Sequence, residues 1–133
     1  MLLALRGAKD ISSDADKRVL LQTLAAGSLR RNSAALRDAF FEVAQSMDSD
    51  SDLRIVLLTA LPFGHNDPLV TSNVLRLIGE KMSSDGEKRL TLVVAAEQKL
   101  LTTARIRGEF MDAARTISSS SEYRLVMQSV FKQ

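Results

Sequence analysis

Along this chain, apolar runs at helical spacing alternate with polar segments rich in serine and acid, and the polar segments resemble one another. Four of them align without gaps: ISSDADKRVLL from Ile11, MDSDSDLRIVL from Met47, MSSDGEKRLTL from Met82 and ISSSSEYRLVM from Ile117. Successive starts lie 36, 35 and 35 residues apart. Self-similarity at such a period is the signature of stacked supersecondary units.

Each segment contains a serine followed three residues later by an acid: Ser13 with Asp16, Ser49 with Asp52, Ser84 with Glu87, and Ser119 with Glu122. This is the capping-box pattern. The hydroxyl accepts the backbone N–H three residues on, and the acid reaches back to the serine N–H. Four helices, termed A, are therefore expected to open here. Three apolar columns follow the caps and are expected to face inward. They are Val19, Ile55, Leu90 and Leu125; Leu21, Leu57, Leu92 and Met127; and Leu24, Ala60, Ala95 and Val130.

Before each cap lies a second helix, B. Counting back three, four and seven positions gives Ala44, Val43 and Phe40, then Gly79, Ile78 and Leu75, then Ala114, Ala113 and Phe110. Such spacings share one helix face. The three-back column (Ala8, Ala44, Gly79, Ala114) is always small, which predicts a close helix approach. One or two residues link B to A. Variable segments link A to B, at 27–33, 62–68 and 101–103, and Pro62 with the Gly64–Pro68 cluster ends a helix. The chain is expected to open in a B helix (Met1–Lys9) and close in an A helix (Ser120–Gln133).

The fold class expected is all-α: one right-handed α-solenoid of antiparallel helical hairpins over 1–133, with units near 1–27, 28–61, 62–99 and 100–133. The apolar Val126, Val130 and Phe131 give the last helix faces that want neighbours. The expectation is a piece of a larger protein, or ends that pair with another copy.

The motif Ile/Met-Ser-Ser-Asp-x-Asp/Glu-Lys-Arg-hydrophobic-Leu-Leu resembles HEAT-like α-hairpin repeats. It is similar to repeats in bacterial envelope proteins, including regions attached to membrane-embedded sensor metallopeptidases. The resemblance implies a scaffold in the bacterial periplasm or envelope. The position between the two acids, often aromatic in those repeats, is Ala15, Ser51, Gly86 and Ser121 here.

Composition narrows the chemistry. Eighteen basic residues against 16 acidic give a net charge of +2, too balanced to predict a polyanionic partner. No cysteine is present, so disulfides, zinc ribbons and thiol catalysis are excluded, and a single histidine excludes HExxH. No window holds 18 consecutive apolar residues, so no bilayer span and no membrane insertion are expected.

The arginine column, Arg18, Arg54, Arg89 and Arg124, has two readings: a ladder gripping an acidic partner or phosphates, or structural ion pairing. Asp14–Arg18, Asp50–Arg54 and Asp85–Arg89 are each four apart, the spacing of a local helix ion pair, which favours the structural reading. A contact with the next helix's acid would be equally structural. Arg124 lacks the aspartate and is the column member expected to be free for a partner.

His65 reads as a turn residue in a loop expected to bind a partner, where His65 and Phe63 are the candidate contacts and exposed Phe63 the anchor. Asp48, Asp50 and Asp52 imitate a calcium loop, but its glycine and twelfth-position acid are replaced by Leu53 and Thr59. Arg30 and Arg31 with Arg37, and Arg105 with Arg107, form basic spots with few aromatics among them, so nucleic acid is an unlikely partner. No catalytic, cofactor-binding or metal-binding residue is expected. The sequence points to a non-catalytic protein–protein interaction or scaffolding module. The alternatives are a structural spacer or oligomerisation segment, and a nucleic-acid-binding solenoid.

Overall fold

Eight helices and a 3-10 turn make up the computed structural model, which describes residues 1–132: α1 (Leu2–Ala8), α2 (Asp14–Leu29), α3 (Ala34–Gln45), α4 (Asp50–Ala60), the turn Leu61–His65, α5 (Pro68–Lys81), α6 (Asp85–Glu97), α7 (Ala104–Ala114) and α8 (Ser120–Phe131). No strand occurs among the described residues, and the protein is all-α. Position 133, included in the last expected helix, lies outside them.

Ser13, Ser49, Ser84 and Ser119 each take an extended backbone conformation, and each hydroxyl accepts the N–H of the acid three residues on at 3.3 Å. Three of the odd-numbered helices are capped the same way by residues without a repeated motif. Ser33, Asp67 and Thr103 accept from the N–H groups of Leu36, Leu69 and Ile106. Helix α5 starts on Pro68, where the missing N–H would have been unbonded anyway.

Two connections differ from expectation. Helix α2 runs past Gly27 to Leu29, and the turn follows at Asn32, with φ of 54°. A Cβ on Gly27 would sit 2.2 Å from Met1 Cε, so the glycine accommodates the first residue of the chain. Helix α6 ends at Glu97, and the connection to α7 turns at Lys99, with φ of 59°.

The even-numbered helices pack in succession, α2 on α4, α4 on α6 and α6 on α8. The odd-numbered helices do likewise, α1 on α3, α3 on α5 and α5 on α7. The core lies between these two rows. From the odd row come Phe40, Val43, Leu75, Ile78 and Phe110. From the even row come Leu21, Leu53, Val56, Leu57 and Leu92. The small column marks the close approach: a Cβ on Gly79 would lie 3.4 Å from Ala113 Cα.

One expected core column is not in the core. Val19, Leu90 and Leu125 are 53%, 40% and 45% exposed, and Ile55 is half-buried. The reason is geometric. Val19 and Leu21 are two residues apart, about 200° around a helix, and cannot both face inward. In the last three units the residue after the column member takes the buried place, as Val56, Thr91 and Val126, while Leu20 is half-buried.

The 3-10 turn fits against α5 through a missing side chain. A Cβ on Gly64 would come 2.1 Å from Thr71 Oγ1 and 3.3 Å from Leu100 Cδ2. Thr71 is buried and β-branched, so it has little freedom to yield. Gly64→Ala is expected to lower unfolding stability by about 1–3 kcal/mol in urea titration, and an unchanged midpoint would contradict this packing.

Candidate functional site

The polar residues of the repeat face one another across the junctions between successive even-numbered helices. Asp14 Oδ2 accepts the backbone N–H groups of Asp48 and Ser49, at 2.8 and 2.6 Å. Asp50 takes those of Ser83 and Ser84, at 2.9 and 2.7 Å, and Asp85 those of Ser118 and Ser119, at 3.1 and 2.8 Å. Each carboxylate thus neutralises two donors at the positive end of the following helix.

The four-apart pairs Asp14–Arg18, Asp50–Arg54 and Asp85–Arg89 are therefore corrected, because these aspartates reach forward into the next unit. The arginines do the same. Arg18 Nε donates to Asp52 at 2.9 Å, Arg54 to Glu87 and Arg89 to Glu122. The reach-back half of the capping box is corrected with them. Asp52, Glu87 and Glu122 bind the preceding unit's arginine, while the Ser49, Ser84 and Ser119 N–H groups go to the preceding unit's aspartate.

Lysines add a third tie that the sequence reading missed. Lys17 Nζ donates to Ser46 Oγ at 3.1 Å, and Lys88 Nζ to the Thr116 carbonyl at 3.1 Å. Both stems are buried, and both ammonium groups meet the carbonyl end of an odd-numbered helix, where a cation is stabilised. Their signal was a lysine in a column otherwise held by Leu53 and Tyr123.

Other sequence-selected residues fall outside any chemical constellation. His65 is exposed at the end of the 3-10 turn. Phe63 is half-buried and packs on the core, so its place as an exposed anchor is corrected. Asp67, from the same loop, is buried and accepts Arg37 Nη1 at 2.9 Å, which removes Arg37 from the expected basic spot. Among the described residues, no group of three or more His, Cys, Asp or Glu is placed to hold a metal. No described helix is long and apolar enough to cross a membrane. Arg124 is exposed, and no acid pairs with it among the described residues.

Two surfaces remain. The outer face of the odd-numbered helices carries charges that pair among themselves: Lys9 with Glu42 at 3.0 Å, Arg76 with Glu80 at 3.2 Å, and Arg115 with Asp112 at 3.2 Å. Between α5 and α7 it has a groove of about 320 Å³ along Gly79 and Ala113.

The outer face of the even-numbered helices is different. Val19, Ile55, Leu90 and Leu125 form an apolar stripe there, one side chain per unit. One turn earlier on each helix stand the small residues Ala15, Ser51, Gly86 and Ser121, which leave the stripe uncovered. A shallow groove of about 400 Å³ runs between α6 and α8, lined by Arg89, Val93, Glu97, Leu125, Gln128 and Lys132. Apolar side chains rimmed by fixed charges can bind a partner surface.

Comparison with family models, curated proteins and solved structures finds no match to this chain.

Proposed function

We propose that the chain is a non-catalytic protein-interaction module, built as a right-handed HEAT-like α-solenoid. A protein or peptide partner docks across the outer face of α2, α4, α6 and α8. The observation that carries this reading is the apolar residue repeated at an outward position of every even-numbered helix. Core packing does not require it, and apolar side chains repeated along one outer face with charges beside them support an interaction surface. The ordered packing of both helix rows supports the solenoid, since stacked units offer long surfaces. The resemblance to envelope-protein repeats favours a partner in the bacterial periplasm or envelope. A nucleic-acid reading is less well supported, because Arg18, Arg54 and Arg89 already bind acids of the chain itself.

The test uses Leu90→Ser with Leu125→Ser. Both sites are exposed, so the unfolding midpoint is expected to move by only about 0.5 kcal/mol. The immobilised wild-type chain retains a partner from lysate of the native host at micromolar bait, and the double variant loses it. Equal recovery by both, or none by the wild type, would contradict the reading.

A further inference from the structure

We propose that the edge formed by the even-to-odd connections docks on an anionic lipid bilayer, cations of the outer two connections meeting lipid phosphates and the apolar tip of the middle one entering the headgroup layer. This edge is separate from the outer face of the even-numbered helices, and the inference does not rest on protein docking there.

Three connections lead from an even-numbered helix to the next odd one, at 30–33, 61–67 and 98–103. Contacts make them neighbours. Asp67 of the second binds Arg37 near the start of α3, and a Cβ on Gly64 would lie 3.3 Å from Leu100 Cδ2 of the third. The helices of each row pack flank to flank. A further unit at either end of the rows would therefore lengthen this edge without covering it.

The net charge of +2 conceals how the charges are distributed. At the opposite edge most acids are engaged within the chain: Asp14, Asp50 and Asp85 by backbone N–H groups, and Asp52, Glu87 and Glu122 by arginines. At the edge of the even-to-odd connections the free groups are cations. Arg30, Arg31, Lys99 and Arg107 are exposed, and no acid pairs with any of them among the described residues. Two acids stand nearby, Asp38 with Arg37 beside it at 3.7 Å, and exposed Glu97 at the end of α6. Asp67 is buried against Arg37 and offers the surface no charge.

Between the two cationic connections the middle one is apolar outside. Pro62 and Pro68 are exposed, and Leu69 is 42% exposed. Cations flanking an apolar tip suit a bilayer, where attraction to anionic headgroups and burial of apolar surface add together. An acidic peptide or a nucleic acid would meet the cations but leave the tip in water. Phe63 packs on the core, so it presents no ring for bases to stack on.

Co-sedimentation with phosphatidylcholine vesicles, with and without phosphatidylglycerol, over a salt series provides the test. The wild type is expected to bind only the anionic vesicles, and less as salt rises. Each cation near such a surface strengthens binding about fivefold, so Arg30→Gln with Arg31→Gln should lower it about 25-fold. Lys99→Gln should lower it about fivefold, and Leu69→Ser should weaken it by the same factor at every salt concentration. Arg6→Gln with Arg115→Gln removes equal charge at the opposite edge, beyond the screening length of about 10 Å at 0.1 M salt, and should change binding less than about twofold. All these side chains are exposed, and circular dichroism checks that each variant keeps its helices. No binding to anionic vesicles overturns the proposal, and capture of polyglutamate or duplex DNA in that case would assign the edge to a polyanion instead. Equal binding to neutral vesicles overturns it too, as does binding that survives the loss of Arg30 and Arg31, binding untouched by Leu69→Ser, or an equal loss in the opposite-edge variant.

Discussion

Arg37→Ala is expected to be the most damaging single polar substitution in this chain, at about 3–5 kcal/mol in urea unfolding. The Arg37 side chain is 11% exposed and that of Asp67, whose carboxylate it binds at 2.9 Å, 7%. Removing the arginine leaves a carboxylate buried against α3 with no counter-charge, and the loss reflects that stranded charge more than the worth of the pair. The second variant that isolates the cause is Asp67→Asn. Asparagine still caps α5, as Asp67 does through the Leu69 N–H, but carries no charge. Combined with Arg37→Ala it is expected to recover a large part of the loss. A double variant as unstable as Arg37→Ala would place the cost in packing rather than charge.

Removing the carboxylates that tie one unit to the next is expected to have an effect of similar size. Asp14, Asp50 and Asp85 each hold two backbone N–H groups of the following unit. Hydrogen bonds to a charged group contribute about 1.5–3 kcal/mol. Water can replace part of each here, since the donors are partly exposed, so each Asp→Ala change is expected to cost about 2 kcal/mol in all. The three sites share no partner, so their effects should add to about 6 kcal/mol. That equals much of the entire stability of a domain this size. A triple variant that unfolds within ~1 kcal/mol of wild type would show these bonds to be incidental.

How much of this was readable beforehand depended on distance along the chain. The serine caps were legible because a cap is local: hydroxyl and amide are three residues apart, and no other part of the fold is consulted. The all-helical class and the buried faces of Phe40, Leu75 and Phe110 were legible for the same reason, through helical periodicity.

The ladder was not. An aspartate four residues before an arginine reads as a pair on one helix. The sequence does not show that the next helix brings two unbonded N–H groups within reach of Asp50. Those donors have no partner within their own helix, whereas an exposed arginine is well solvated, so the aspartate goes to the donors. The released arginine then takes the next unit's acid. The outward stripe was misassigned for a simpler reason: Val19 and Leu21 were both placed inward, although two positions on a helix point in nearly opposite directions. Arg37 and Asp67 lie 30 residues apart in segments that do not repeat, so no column connected them. Lys17 and Lys88 stand outside the apolar columns and carry charge, so periodicity does not mark them as buried, although a long stem can be buried while its ammonium caps a helix.

The most direct test that each unit is fastened by the aspartate of the one before is native-state amide exchange at four equivalent residues. The N–H groups of Ser49, Ser84 and Ser119 are bonded to Asp14, Asp50 and Asp85, while no acceptor meets the N–H of Ser13 among the described residues. The expected result is strong protection at the first three and little at Ser13, with Asp50→Ala removing protection at Ser84 but not at Ser119. Equal exchange at all four serines, or protection at Ser84 that survives the loss of Asp50, would contradict it.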